Sequence, residues 1–392
     1  MSSKVRLGHF KKVIALCQRY GFIHQSTAAT DTFPLSYGHL GSELRRNLIN
    51  SWWRDVVTQQ GLITGVDSPF TKHIQHISEA STAAAADPTE GTEQGFSTSL
   101  DKGGSIALAD LLPHYQNALT MSERGLPVGL ATVGHHRSHG SFKPDRYIFQ
   151  SHAFTYMHLS FFCAPKDASR WQNMWQRSRL QWWKKFSWTP STFTSTDVRN
   201  EDGKQVIEIK YPFPWGEDVI ERLTNHGSTP MEEIQEKKQT LVGVRDGRKL
   251  IIPHLIQSVG YLEGGMLAYL LEAYQDVNVP TTTGKKKRQF MRLHTNLCPV
   301  KVAIVIVQAS DQLQEVSDLL AKDFRSADVN VIQATEDKSP SKTFEKLDIM
   351  GVPYSVLLTE DTVKSGTVKI RSRDTTLTQE INITKVMQTL QL

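Results

Sequence analysis

Gly125-Leu126-Pro127-Val128-Gly129-Leu130-Ala131-Thr132-Val133-Gly134 runs into His135-His136-Arg137-Ser138-His139, and Ala153-Phe154-Thr155-Tyr156-Met157-His158-Leu159-Ser160-Phe161-Phe162 follows. With His152 and His158 counted, histidines crowd this stretch. A metal centre needs a carboxylate or thiolate complement and a closed ligand geometry. No acid lies between Glu123 and Asp145 to supply one, so no metal is expected here, nor at His73 and His76. No Walker loop, Rossmann fingerprint or nucleophile–histidine–acid arrangement is evident anywhere in the chain. On these motifs no catalytic residue and no cofactor is assigned.

Outward from this stretch, 392 residues are enough for two or three domains, each with its own core. A hydrophobic fraction of 39% with 22% charged residues is that of a globular chain. No apolar run is long enough to cross a bilayer, so no membrane partner is expected. Cys17, Cys163 and Cys298 are far apart, odd in number and without C-x-x-C spacing. They fit a reducing compartment and provide neither a disulfide framework nor a zinc site.

The net charge of +5 is unevenly spread. Between Asp276 and Asp311 there is no acid, while Lys285, Lys286, Lys287, Arg288, Arg292 and Lys301 supply six cations. Such a concentration draws polyanions through counterion release. The run at Lys285–Arg288, entered after Thr281-Thr282-Thr283-Gly284, reads as a loop-like basic linker. With Arg292 it is the first candidate for contact with nucleic acid. The second is a helix in which Trp171, Trp175, Trp182 and Phe186 recur in one stripe. Arg170, Arg177 and Lys184 fall on its opposite face, and no acid occurs between Asp167 and Asp197. A solvated helix back usually mixes charge signs.

Of the 28 positions over 78–105, 18 are Ala, Ser, Thr or Gly, a composition that cannot build a core. Residues 60–122 therefore read as an insertion with a low-complexity middle, flanked by short helices near 72–80 and 106–121. Residues 297–392 alternate in a β-α manner. The apolar run 300–307 suits a strand buried on both faces. A helix over 311–324, capped by Ser310 or Asp311, turns Leu313, Val316, Leu319 and Leu320 inward. On the last basic strand Lys369, Arg371 and Arg373 share one side, opposite Val368 and Ile370.

These strings also carry a resemblance. The opening stretch resembles the second signature motif of class II aminoacyl-tRNA synthetases, as worded in glycyl-tRNA synthetases. There a Phe-Arg-Asn-Glu turn grips the α-phosphate and reads the amino acid or adenine; here only Arg137 matches. Pro253–Gly260 and Met266–Leu270 resemble the third motif, with its required arginine replaced by Gly264 beside Glu263. Adenylate formation needs cations on the triphosphate. A chain that keeps this frame without the anchoring arginine is expected to bind rather than catalyse. Tyr37-Gly38-His39-Leu40-Gly41-Ser42-Glu43-Leu44-Arg45-Arg46-Asn47-Leu48 resembles the first motif, whose helix builds the synthetase dimer. That implies Leu44, Leu48 and Trp52 at a homodimer interface. Tyr211-Pro212-Phe213-Pro214-Trp215-Gly216 resembles the segment lining the amino-acid pocket. Leu297–Val302, Asp348–Tyr354 and Gly366–Asp374 resemble the anticodon-binding domain of the same group.

Arg179-Leu180-Gln181-Trp182-Trp183-Lys184-Lys185-Phe186, Arg245-Asp246-Gly247-Arg248-Lys249 and Arg371-Ser372-Arg373-Asp374-Thr375-Thr376 narrow this further. They are similar to the accessory subunits of the mitochondrial DNA polymerase. The fold implied is α/β and α+β: a class II synthetase-like antiparallel-sheet body (1–59 and 123–284), a partly helical insertion that is a candidate dimerisation element (60–122), and a basic linker with an anticodon-binding-like α/β domain (285–392). The resemblance implies a non-catalytic processivity subunit in the mitochondrial matrix nucleoid. It would bind the catalytic subunit and duplex primer–template DNA, commonly as a homodimer. Lys369, Arg371 and Arg373 are the expected exposed charges for docking on the catalytic subunit. The first thirty residues have the acid-free composition of a mitochondrial presequence. Yet residues 13–23 resemble the opening helix of the body, so a mature or a trimmed form is expected. The alternatives are a divergent glycyl-tRNA synthetase and a tRNA-binding regulator.

Overall fold

The computed structural model describes residues 3–25, 35–67, 108–122, 125–137, 153–239, 242–246, 249–281, 284–335 and 340–390. The helix expected near 72–80, the low-complexity tract, His73, His76, His139 and His152 lie outside them. Two compact units emerge: Leu48–Lys185 with Thr189–Ala268, and Met1–Asn47 with Phe186–Trp188 and Tyr269–Leu392.

Helix α1 (Ser3–Arg19) buries Phe10, Val13, Ile14 and Cys17, the three-and-four spacing of one helical face. Strands β1 (Ile23–Gln25) and β2 (Leu35–Tyr37) pair antiparallel before helix α2 (His39–Trp53). Gly38 and Gly41 are needed here for close backbone approach. A Cβ on Gly38 would lie 2.4 Å from the Gly21 carbonyl oxygen, and one on Gly41 1.9 Å from that of Phe22. Along α2, Leu44, Leu48 and Trp52 are buried in the chain's own interior. The expectation that these three face a second copy is thereby corrected: spaced four apart, they form the inward stripe, and Ser42, Arg46 and Asn50 point outward.

The first unit is built on an eight-stranded sheet. Its elements are β3 (Ile63–Gly65), α3 (Leu108–Met121), β4 (Val128–Arg137), β5 (Ala153–Cys163), α4 (Ala168–Lys185), β6 (Thr194–Ser195), β7 (Arg199–Glu201), β8 (Lys204–Phe213), β9 (Gly216–Asn225), α5 (Thr229–Lys238), the small pair β10 (Val244–Asp246) and β11 (Lys249–Ile251), and β12 (His254–Tyr261). Helix α6 (Leu262–Ala273) follows directly. The strand order is β3-β4-β5-β12-β9-β8-β6, with β7 also on β8, antiparallel except for β3 beside β4. Side-chain alternation divides β5 between two cores. Phe154, Tyr156 and Phe162 join Leu111, Leu112 and Tyr115 of α3 and Met231 and Ile234 of α5. Phe161, of opposite parity, meets Trp171 and Trp175 of α4 at ring separations of 4.8 and 5.4 Å. Helix α3, read as the flank of an insertion, is thus part of the body core, and the Tyr115 hydroxyl donates to the Val242 carbonyl at 3.0 Å.

In the second unit β13 (Tyr274–Thr281) and β14 (Gly284–Met291) form an antiparallel hairpin. The basic run read as a loop-like linker is therefore a strand, because its charges find partners on neighbouring elements. The hairpin spans the boundary expected at residue 284, and the second compact unit takes in residues from Tyr269 onward. Beyond it come β15 (Val302–Ile306), α7 (Asp311–Ser326), β16 (Val331–Thr335), α8 (Pro340–Ile349), β17 (Tyr354–Leu358), α9 (Glu360–Ser365), β18 (Thr367–Ser372) and β19 (Thr378–Asn382). They make a five-stranded sheet in the order β16-β15-β17-β18-β19, with β15 parallel to both neighbours and the remaining pairs antiparallel. Every residue of β15 is buried, as its apolar run predicts. The Ser310 side chain caps α7, accepting from the Leu313 amide at 3.2 Å. Leu319, expected inward, is 63% exposed. The buried stripe passes through Leu313, Ser317, Leu320, Ala321 and Phe324, and Leu319 falls outside it. An antiparallel-sheet body with a C-terminal α/β domain is the architecture the sequence predicts.

Candidate nucleic-acid interface

Helix α4 has one face locked to the sheet and one face open. Trp175, Trp182, Trp183 and Gln172 are buried, and Trp171 half so. Arg179 lies fully buried among them. Its Nε donates to Glu221 at 2.9 Å, its guanidinium reaches Asp55 at 3.1 Å and it stands over the Trp182 ring at 4.7 Å. Glu221 accepts also from the Trp183 indole and the Ser258 hydroxyl. Burial raises the Asp55 carboxyl, against the opposing charges of Arg179 and Lys185. Sequence reasoning missed this network. The signal was the place of Arg179 within the Trp175–Trp182 stripe, four residues from one and three from the other.

With Arg179 turned inward, the remaining cations of α4 are left outside. Arg170 and Arg177 are exposed and Lys184 half-buried, and none of the three forms an ion pair among the described residues. Arg170, Asn173, Met174, Arg177, Ser178 and Gln181 line a shallow hollow of about 650 Å³. Seven residues of helix rise about 10.5 Å, so the three charges form an evenly spaced row. The whole helix contains no acid.

The basic strand β14 is largely engaged. Lys286 pairs with Glu345 at 2.7 Å and reaches Ser341 at 3.2 Å. Arg288 pairs with Asp348 at 2.8 Å, donates to the Arg373 carbonyl at close range and covers the Phe290 ring at 4.2 Å. Lys287 pairs with Asp276 at 3.1 Å, and Lys285 is exposed without an ion pair among the described residues. Arg292 lies 3.5 Å from Asp374 and 3.8 Å from the centre of the Trp188 ring.

Of the three charges expected exposed along the last basic strand, Lys369 and Arg371 on β18 and Arg373 just beyond it, only Lys369 is. Arg371 makes two bonds to Asp348, 2.8 and 2.9 Å, and covers Phe344. Arg373 is 2% exposed and donates to Asp374 at 2.8 Å, the Gly351 carbonyl at 2.9 Å and the Leu293 carbonyl at 3.0 Å. The correction has a plain cause. Alternation sets which side of a strand a residue takes, and that side of β18 is open at Lys369 but covered by α8 and residues 291–298 further along.

At the place the third signature motif gives to its arginine, Gly264 sits in the first turn of α6. A Cβ there would meet Ile220 at 3.6 Å and Tyr261 at 3.7 Å. Neighbouring Glu263 is buried and accepts from the Thr155 amide at 2.8 Å. Phe154 and Tyr261 face each other at 5.2 Å. The His135 ring lies 3.2 Å from the Thr155 hydroxyl. Burial, with a smaller push from His226, lowers His158 to about 3, so this imidazole is neutral.

Comparison with known proteins agrees with this architecture. Residues 301–391 match the family described as Anticodon binding domain. The chain is 31% identical to the mitochondrial DNA polymerase subunit gamma-2 of Xenopus laevis, over 95% of its own length and 84% of that relative. It is 30% identical to DNA polymerase subunit gamma-2 of Mus musculus, over 95% and 88%. It is also 25% identical to the glycine–tRNA ligase of Thermobifida fusca, over 96% of each chain. The body therefore has a class II synthetase-like fold.

Proposed function

The chain belongs to the DNA polymerase subunit gamma-2 family, and from that premise we propose that it is a non-catalytic processivity subunit of the mitochondrial DNA polymerase. It acts in the matrix nucleoid, where it holds the catalytic subunit and duplex primer–template together and slows release of the polymerase from the growing end.

The observation that carries this reading is the outward face of α4, where Arg170, Arg177 and Lys184 stand without counter-charges among the described residues. Cations on phosphates neutralise without reading bases, so binding is sequence-independent and salt-sensitive. Three such contacts contribute roughly −2.7 to the log–log salt slope, at about −0.9 per phosphate. The lack of catalysis is supported by Gly264, which leaves the third motif without its arginine, and by Glu263, which is committed to the Thr155 amide. The C-terminal domain docks on the catalytic subunit, with Lys369 as the exposed charge. A homodimer belongs to the reading, through a surface other than Leu44, Leu48 and Trp52.

Primer extension with a trap for dissociated polymerase tests it. Longer products per binding event are expected when the chain is added, and unchanged lengths would refute the reading. A glycyl-tRNA synthetase or tRNA-binding regulator is the second reading, favoured by the end-to-end similarity to glycine–tRNA ligases. Glycine-dependent ATP–pyrophosphate exchange, or a strong preference for tRNA over primed duplex at fixed salt, would favour it instead.

A further inference from the structure

Helix α1 contains no acid, and its exposed face carries Lys11, Lys12 and Arg19 while Phe10, Val13, Ile14 and Cys17 are buried. The helix is fixed beside β13: His9 bonds the Leu271 carbonyl at 2.9 Å and its ring lies 5.2 Å from that of Tyr274. Lys12 reaches Asp276 on β13 at 3.5 Å, and Lys287 on β14 reaches the same carboxylate at 3.1 Å. Asp276 therefore joins two elements far apart in sequence into one surface.

Strand parity sorts the basic run of β14 into two sets. Lys286 and Arg288 point toward α8 and are held by Glu345 and Asp348. Lys285 and Lys287 take the other side, with Asp276 and Asn278 of β13, in a register that places Asn278 opposite Lys287 and Pro280 opposite Lys285. On that side Lys12, Lys285 and Lys287 gather about Asp276, while Lys11 is exposed one residue further round α1. Both Lys12 and Lys287 stay more than half exposed despite their pairing.

We infer that the exposed face of α1 and the outward face of the β13–β14 hairpin form one phosphate-binding surface for the backbone of duplex DNA, with Lys11, Lys12, Lys285 and Lys287 as its contacts. The inference rests on the DNA-binding part of the proposed function and adds α1 to it. A surface on which cations outnumber acids among the described residues suits a regular polyanion, because each neutralised phosphate releases condensed counterions. It needs no base readout. Lys286 and Arg288 serve instead to hold the hairpin against α8.

The test is fluorescence anisotropy of a labelled mixed-sequence duplex titrated with the full chain at several salt concentrations. Four cations set against Asp276 leave a net of three, so K11A/K12A/K285A/K287A is expected to bind more weakly and to flatten the log–log slope by about 2.7. K286A is expected to match the unaltered chain, and so to mark the inward parity. K11A/K285A touches neither partner of Asp276, so it reads the surface even where the quadruple variant melts early; a loss of slope of about 1.8 is expected. Unaltered slopes in both variants overturn the inference while leaving DNA binding itself intact. Loss of slope in K286A equal to that of the quadruple variant overturns the parity assignment. Weaker binding to the catalytic subunit with an unchanged duplex slope overturns it in favour of a protein partner. If the unaltered chain binds no duplex, the DNA-binding reading falls with it.

Discussion

Arg371 grips Asp348 with two parallel hydrogen bonds of 2.8 and 2.9 Å, and Arg288 meets the same carboxylate at 2.8 Å from another strand. One buried acid on α8 thus ties the β13–β14 hairpin to β18. Removing one partner of a buried charge set leaves the others desolvated and unpaired, which costs about 3–5 kcal/mol. Asp348→Ala is expected to destabilise the chain by that amount in urea unfolding. A loss below about 1 kcal/mol, the range of exposed ion pairs, would show that Asp348 is not the clasp it resembles.

Arg371→Ala follows from the same geometry. As a buried structural residue it should lower the unfolding midpoint, whereas Lys369→Ala, on the exposed part of the same strand, should not. Surface substitutions generally stay within about 0.5 kcal/mol. Parallel urea curves with m-values compared check both. If Arg371→Ala left stability intact while weakening the complex with the catalytic subunit, Arg371 would be a docking residue after all.

The contrast between Lys369 and Arg371 marks what the sequence can and cannot disclose. Strand parity, the apolar run of β15 and the Ser310 cap are local properties, and each is legible over a few residues. The family strings likewise carry the two-part fold. Whether a polar side of a strand is wet depends on what packs over it. For Arg371 that is Asp348, and for Arg373 the carbonyls of Leu293 and Gly351, residues that no local pattern brings near. The basic run suffers the same ambiguity, since Glu345 and Asp348 lie nearly sixty residues beyond it. On α4 the face is legible from helical period alone, because Arg179 falls within the tryptophan stripe while Arg170, Arg177 and Lys184 fall opposite.

R170A/R177A/K184A is accordingly expected to leave the melting temperature within a degree or two and to weaken duplex binding, flattening the log–log salt slope by about 2.7. Arg179→Ala should do the reverse in kind, unfolding the unit by stranding Glu221 and Asp55. Anisotropy titrations beside thermal melts separate the two. Unchanged duplex affinity in the triple variant would remove α4 from the DNA face.

Adjacent glycines at the start of α6 should respond in opposite directions. A Cβ on Gly265 would stand 2.2 Å from the buried Trp183 ring, and Trp183 is tied to Glu221. Overpacking of this kind costs about 1–3 kcal/mol. A Cβ on Gly264 meets only ordinary contacts at 3.6 and 3.7 Å, so Gly264→Ala should gain up to about 1 kcal/mol from helix propensity. Urea midpoints of the two alanine variants measure this directly. Equal effects would mean that α6 shifts to absorb the methyl group, and that Trp183 does not fix its position.

His158 supplies a pH dependence whose sign is set by burial. Its ordinary value is near 6.5 and in the folded chain it is held at about 3, with His226 held at about 4 by burial and by Lys204, against its bond to Gln257. The unfolded chain therefore binds protons first as pH falls. Stability is fully present above about 6.5 and declines from there toward 3, at up to about 1.4 kcal/mol per pH unit for one proton. Replacing His158 with Asn removes that proton uptake. The variant should be less stable than the unaltered chain at pH 7, and the gap should narrow on going to pH 5, because only the unaltered chain loses the His158 share. Urea unfolding at pH 7, 6 and 5 reads the gap. A gap that stays constant or widens would mean that the His158 ring is hydrated or charged in the folded chain, contrary to its burial beneath the sheet face.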